Sequence, residues 1–252
     1  RGKFYGFPSG LPSSRWDYTQ PRSFTPPAVW FPRALAPSTS DVEVIGDDRF
    51  GPFKGEMVVG DFQNSILMRV MLEKVKGEWQ GAVWPFLKGF AGAVNRLTYG
   101  PDGKLYVGGC KRAWSTPAPQ ESSLERVAFG NKAPFEVKEV HAKVDGFELI
   151  LTQPADRASA GNAENYEARQ FTYRYQAAYG SPEIDHSGRE NSASPVNVNR
   201  VEVGRDGLSI RLHLEGWRAG YVTAMRISDV KSADGQGLWH DTFYYTLNHV
   251  PD

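Results

Sequence analysis

Asp61 ends the stretch VVGD, and Gln63, Asn64 and Ser65 follow it within four residues. Oxygen donors crowded on one tight loop suit Ca²⁺, which takes carboxylate, amide and hydroxyl oxygens. Asp61 and Asn64 are therefore the candidate metal ligands. The same spacing also makes an Asx turn, in which the carboxylate accepts backbone N–H groups without any ion. Asp185, Ser187 and Glu190 form a sparser oxygen cluster in a long polar stretch. Arg96, Arg112 and Trp114 are the ligand-binding candidates. A guanidinium offers an anion two parallel donors, and an indole offers a ring a face to stack on. The alternative for either arginine is a buried ion pair with Asp61 or Glu73 across a sheet.

His141, His213, His240 and His249 stand singly, with no H-x-x-x-H or His/Cys spacing of a zinc site. They read as structural or surface residues, so the catalytic residues stay unknown. Cys110 is the single cysteine, which excludes an intrachain disulfide and leaves a thiol nucleophile without a recognisable partner. Trp79, Trp84, Trp217 and Trp239 can stack on sugar rings or fill a core. Lys and Arg together number 29, as do Asp and Glu, so no charge excess points to nucleic acid or an anionic membrane. No apolar run reaches the length of a membrane-spanning helix.

These residues need elements to position them, and the composition points to strands. Twenty-six Gly, 17 Pro and 13% aromatics predict a turn-rich, all-β chain. Strands are expected at 42–45, 56–60, 66–75, 80–86, 124–130 and 135–144. Residues 95–109, NRLTYGPDGKLYVGG, read as a hairpin: Leu97 and Tyr99 alternate with polar neighbours, Pro101-Asp102-Gly103 turns, and Leu105 to Val107 resume. The pattern changes near Asp145. From residue 146 a second meander carries Phe171, Tyr173 and Tyr175 at period two, a hairpin over 198–216 and closing strands to 248. Its length suits an immunoglobulin-like β-sandwich. Residues 1–40 form a Pro- and aromatic-rich arm, whose Trp16, Tyr18, Phe24, Trp30 and Phe31 are expected to dock on a partner subunit or on the chain's own first sheet, which the adjacent platform of Phe50 and Phe53 favours.

FGPFKGEMVVGD, LMRVMLEKVKGEWQGAVWPF, GAVNRLTYGPDGKLYVGG, APFEVKEV, DGFELILTQPAD, YGSPE and YYTLN follow one another in that order. Together they resemble the C-terminal part of bacterial extracytoplasmic proteins related to sorbosone and glucose dehydrogenases, which are often fused to cytochrome c domains. The resemblance implies a quinoprotein-type β-propeller, with pyrroloquinoline quinone (PQQ) and Ca²⁺ as cofactors of the full-length protein. It also implies a carbohydrate substrate and a periplasmic or secreted location. A blade takes about 40–45 residues, so residues 41–145 supply about two, and closure needs at least four. The expectation is therefore partial propeller-type blades over 41–145 and an Ig-like sandwich over 146–252, with no catalysis by this chain alone; either further blades lie upstream or the strands of 41–145 make a smaller sheet of their own. The alternative is a carbohydrate- or protein-binding scaffold module. In the turn GGCKRAW at 108–114, Arg112 and Trp114 match the related pattern, whereas Cys110 and Ala113 depart from it.

Overall fold

Turn chemistry sets the local order. Lys76 and Gly77 both take positive φ, 49° and 85°, and join two long strands by a two-residue turn that matches their right-handed twist. Gly103, at φ 74°, closes the Pro101-Asp102-Gly103 hairpin, where Lys104 N donates to Asp102 Oδ1 at 3.2 Å. The computed structural model describes residues 25–111, 115–174 and 180–252. Its strands are β1 (Thr39–Val44), β2 (Met57–Asp61), β3 (Ile66–Val75), β4 (Glu78–Lys88), β5 (Val94–Tyr99), β6 (Leu105–Cys110) and β7 (Ser122–Val127). They continue as β8 (Val137–Lys143), β9 (Gly146–Leu151), β10 (Tyr166–Phe171), β11 (Ser194–Val203), β12 (Ser209–Glu215), β13 (Tyr221–Ile227) and β14 (Thr242–Leu247). Among the described residues one short α-helix, α1 (Arg157–Ala160), and two 3₁₀ turns, Asp48–Phe50 and Ala163–Asn165, interrupt them. The protein is all-β and its strand pairs are antiparallel.

β5, β6 and β7 form a three-stranded sheet; the other strands form one sheet in the order β1-β2-β3-β4-β14-β13-β10-β11-β12-β9-β8. Among the described residues no sheet closes into a barrel or a propeller. β11 changes partners along its length: Ser194 to Val196 pair with β10, and Asn197 to Val203 pair with β12, with an irregularity between Val198 and Arg200. A strand shared in this way lets one sheet turn back over itself as two packed layers. Phe147, Leu149 and Leu212 from one layer and Ala168, Met225 and Phe243 from the other share one core.

The same core also takes Met71, Ala82 and Trp84 from β3 and β4. β14 pairs with β4 through Tyr244↔Val83, Tyr245↔Ala82 and Thr246↔Gly81. The division expected at Asp145 falls inside the β8–β9 hairpin, where Lys143 pairs with Gly146. β8 therefore sits with the sandwich, and the two halves share both a sheet and a core. A second core joins Phe50, Phe53, Leu67 and Phe86 to Leu97, Leu105 and Val107 of the small sheet.

The arm's described part docks on the opposite face. Val29, Phe31, Leu35 and Ala36 pack on Val59, Met68, Val70 and Val83. Trp30 meets Tyr173 at 5.2 Å between centroids, and its backbone N–H donates to Thr246 Oγ1 at 2.8 Å. The expected platform of Phe50 and Phe53 is not the one used. Alternation explains why: Met68 and Val70 of β3 face the arm, whereas Leu67 faces the core that holds Phe50 and Phe53. Trp16, Tyr18, Phe24 and Tyr175 lie outside the described residues.

Candidate functional site

The inner face of β3 presents Leu67, Arg69, Met71 and Glu73 in turn. Arg69 is fully buried, between the rings of Phe53 at 4.4 Å and Trp84 at 4.0 Å. Its Nη1 pairs with Glu56 Oε2 at 2.5 Å and donates to Lys138 O at 2.7 Å, and its Nη2 donates to Val137 O at 2.6 Å. Two repeats of the pleat further on, Glu73 Oε1 accepts the N–H of Ala142 at 2.8 Å. β8 is an edge strand, and β3 side chains meet its open backbone groups with donors where it offers carbonyls and an acceptor where it offers N–H. Burial pushes the Glu56 carboxyl up to about 7, an effect that the Arg69 charge only partly offsets.

Three histidines, His141, His213 and His240, are held on both ring nitrogens. His141 lies between Glu73 at 3.0 Å and Glu139 at 2.9 Å, and the bond to Glu73 raises its pKa above the ordinary histidine value despite desolvation. Tyr245 donates its hydroxyl to the same Glu73 and accepts from Gln80 Nε2 at 2.8 Å. His213 lies between Asp145 at 2.7 Å and Glu202 at 2.9 Å, with Arg211 also on Asp145. His240 donates Nε2–H to Phe86 O at 3.0 Å, and its Nδ1 meets Glu136 Oε2 at 2.5 Å. A general base needs a lone pair aimed at substrate, and none of these three rings offers one. The backbone N–H of His249 donates to Gln80 Oε1 at 2.8 Å.

The oxygen cluster at Asp61 is an Asx turn that ties down the arm. Asp61 Oδ2 accepts Ser38 N at 2.6 Å and Oδ1 accepts Asn64 N at 2.7 Å. Asn64 Nδ2 donates to Ala34 O at 3.1 Å and Leu35 O at 2.9 Å. Burial raises the Asp61 carboxyl above its usual range. In the long loop, Asp185 accepts from Ser187, Arg189 and Ser192, and its pKa is lowered, first by the Ser187 hydroxyl; Glu190 instead pairs with Arg174. Among the described residues no three His, Cys, Asp or Glu side chains gather as metal ligands.

Arg96 is exposed on β5 and donates to its own neighbour's carbonyl, Asn95 O, at 3.0 Å. Among the described residues, neither Asp61 nor Glu73 pairs with Arg96, and the buried arginine pair is Arg69 with Glu56. Cys110 Sγ accepts from Asn95 Nδ2 at 2.9 Å. Arg112 and Trp114 lie outside the described residues. With Asp61 engaged by backbone N–H groups and Arg96 turned to Asn95, these residues do not fit a quinone or Ca²⁺.

What the fold does assemble is an aromatic cleft of about 420 Å³ where β4, the 127–135 segment and the 236–239 loop meet. Phe50, Phe53, Phe86, Phe129, Phe135 and Trp239 supply its rings. Trp239 is 44% exposed, yet its place is fixed: its backbone N–H donates to Phe135 O at 2.9 Å, and its ring meets Phe86 at 5.5 Å and His240 at 4.5 Å. Lys132 and Gln236 add polar groups to the lining. The other tryptophans divide: Trp84 is buried, Trp217 packs on Phe147 at 5.3 Å, and Trp79 is exposed beside Lys74. Sequence reading named Trp239 as a stacking residue and Phe50 and Phe53 only as a platform for the arm; it did not single out Phe86, Phe129 or Phe135, and the five phenylalanines arrive from three separated segments. No protein-family model, no curated protein and no solved structure matches the chain.

Proposed function

We propose that the chain is the C-terminal portion of an extracytoplasmic, periplasmic or secreted, sorbosone/glucose dehydrogenase-like protein, and that it does not oxidise sugar by itself. The observation that supports this is the pair of successive antiparallel meanders, β1–β4 and β5–β7, with β1 set beside β5. Leu97 N donates to Asp41 Oδ2 at 3.1 Å between them. Neighbouring propeller blades stand in the same relation, and an Ig-like sandwich then follows the last of them. PQQ, Ca²⁺ and a cytochrome c domain belong, in this reading, to the rest of the protein. Mass measurement of the native polypeptide that carries this sequence tests it. A longer chain with dye-linked sugar oxidation is expected; a native chain of this length, or sugar turnover by this chain with PQQ and Ca²⁺, overturns it.

A second reading is a non-catalytic binding module, for carbohydrate or for a protein. The exposed but anchored Trp239 in the aromatic cleft favours it. Titration of oligosaccharides against the chain and its Trp239→Ala variant checks this, with binding to the first and loss in the second as the expected result.

A further inference from the structure

We propose that the cleft between β4, the 127–135 segment and the 236–239 loop binds a planar aromatic anion, a fused or single ring bearing a carboxylate. The inference rests on the binding-module reading and names the ligand class. Size comes first: about 420 Å³ lies in the range of small-molecule sites and admits a bicyclic body. The lining comes next. Phe50, Phe53 and Trp239 each meet Phe86 tilted or edge-on, at 6.4, 5.8 and 5.5 Å, so the wall offers both ring edges and ring faces. An aromatic guest finds edge-to-face partners there.

Charge and polarity favour an aromatic anion over a sugar. Among the described residues no Asp or Glu lines the cleft, and Lys132 is its one ionisable group. Lys132 is exposed and has no carboxylate partner among the described residues. A carboxylate on the guest can therefore reach the ammonium without meeting a competing acid. A sugar ring would instead bring several hydroxyls to a lining in which Gln236 is the only side chain that both donates and accepts. Each hydroxyl desolvated without a partner costs affinity.

Calorimetric titration of the full chain with 2-naphthoate, with neutral 2-naphthylmethanol and with cellohexaose tests the assignment. Naphthoate is expected to bind more tightly than naphthylmethanol. Trp239→Ala is expected to weaken naphthoate by about tenfold, the scale of one lost aromatic contact. Lys132→Met is expected to weaken naphthoate alone, and to remove the salt dependence of its binding. Lys132 is exposed, so this variant keeps the test alive if Trp239→Ala does not fold, which circular dichroism will show. Equal affinity for the two naphthalenes, or naphthoate affinity unchanged in Lys132→Met, overturns the proposal. Binding of cellohexaose with none of naphthoate overturns it and leaves the binding-module reading standing. Absence of binding by all three probes overturns the proposal and the carbohydrate form of the binding-module reading.

Discussion

Arg69 is the residue on which the junction turns. It is a charge held away from water, stacked between two rings and bonded to one carboxylate and two carbonyls. Removing one partner of such a pair leaves the other charge uncompensated, at about 3–5 kcal/mol. Arg69→Met should lose stability on that scale in urea unfolding, and lose less at pH 5, where Glu56 can take a proton. Glu56 itself sets a pH dependence. Its folded value, about 7, lies above the ordinary 4.5, so the stability it contributes is fully present below pH 4.5 and is lost as pH rises through about 7. His141, raised above 6.5, adds to the same decline on the alkaline side of its ordinary value. Glu56→Gln should flatten the part of the stability profile between about pH 4.5 and 7, as followed by thermal melts across that range.

Elements show what is legible in a sequence. The β5–β6 hairpin could be read from Pro101-Asp102-Gly103 because its turn is local and each residue type has one steric use. The strand at 66–75 was equally visible, but not what faced each of its residues. In LMRVMLEKV the apolar residues fall on both faces, so Arg69 and Glu73 gave no sign that they would meet the edge of β8. Asp61 was legible as an oxygen-rich turn, and only its partners, Ser38 and Asn64, decide that it is a backbone cap. Asp61→Ala should release the segment around Ala34 and Leu35. Trypsin cleavage after Arg33 is expected to be faster in that variant than in the parent chain. Equal rates would mean that the apolar contacts of Phe31 and Ala36 hold the arm unaided.

At the scale of the whole molecule, the change of pattern near Asp145 is real in the sequence but is not a seam in the fold. β8 and β9 form one hairpin across it, and Met71 and Trp84 share a core with Phe147 and Phe243. One calorimetric unfolding transition is expected, whereas two independent sandwich and meander domains would give two. Gly81 sits where β4 is paired on both sides. It pairs with Thr246 of β14, and a Cβ there would lie 2.0 Å from Met71 O of β3. Gly81→Val should therefore destabilise the chain by more than about 2 kcal/mol in urea unfolding, because backbone would have to move.

The β4–β14 pairing also bears on how the protein is made. Gln80 and Tyr245, hydrogen-bonded across it, are separated by 165 residues. At roughly 5–20 residues per second, a ribosome delivers Tyr245 on the order of ten to thirty seconds after Gln80. Throughout that interval the nascent chain carries β4 with an open edge and with Ala82 and Trp84 uncovered. Such an edge invites another strand. The interval in which this protein most needs a chaperone is thus set by the sequence distance between two paired strands, and shortening it by circular permutation would lessen that need.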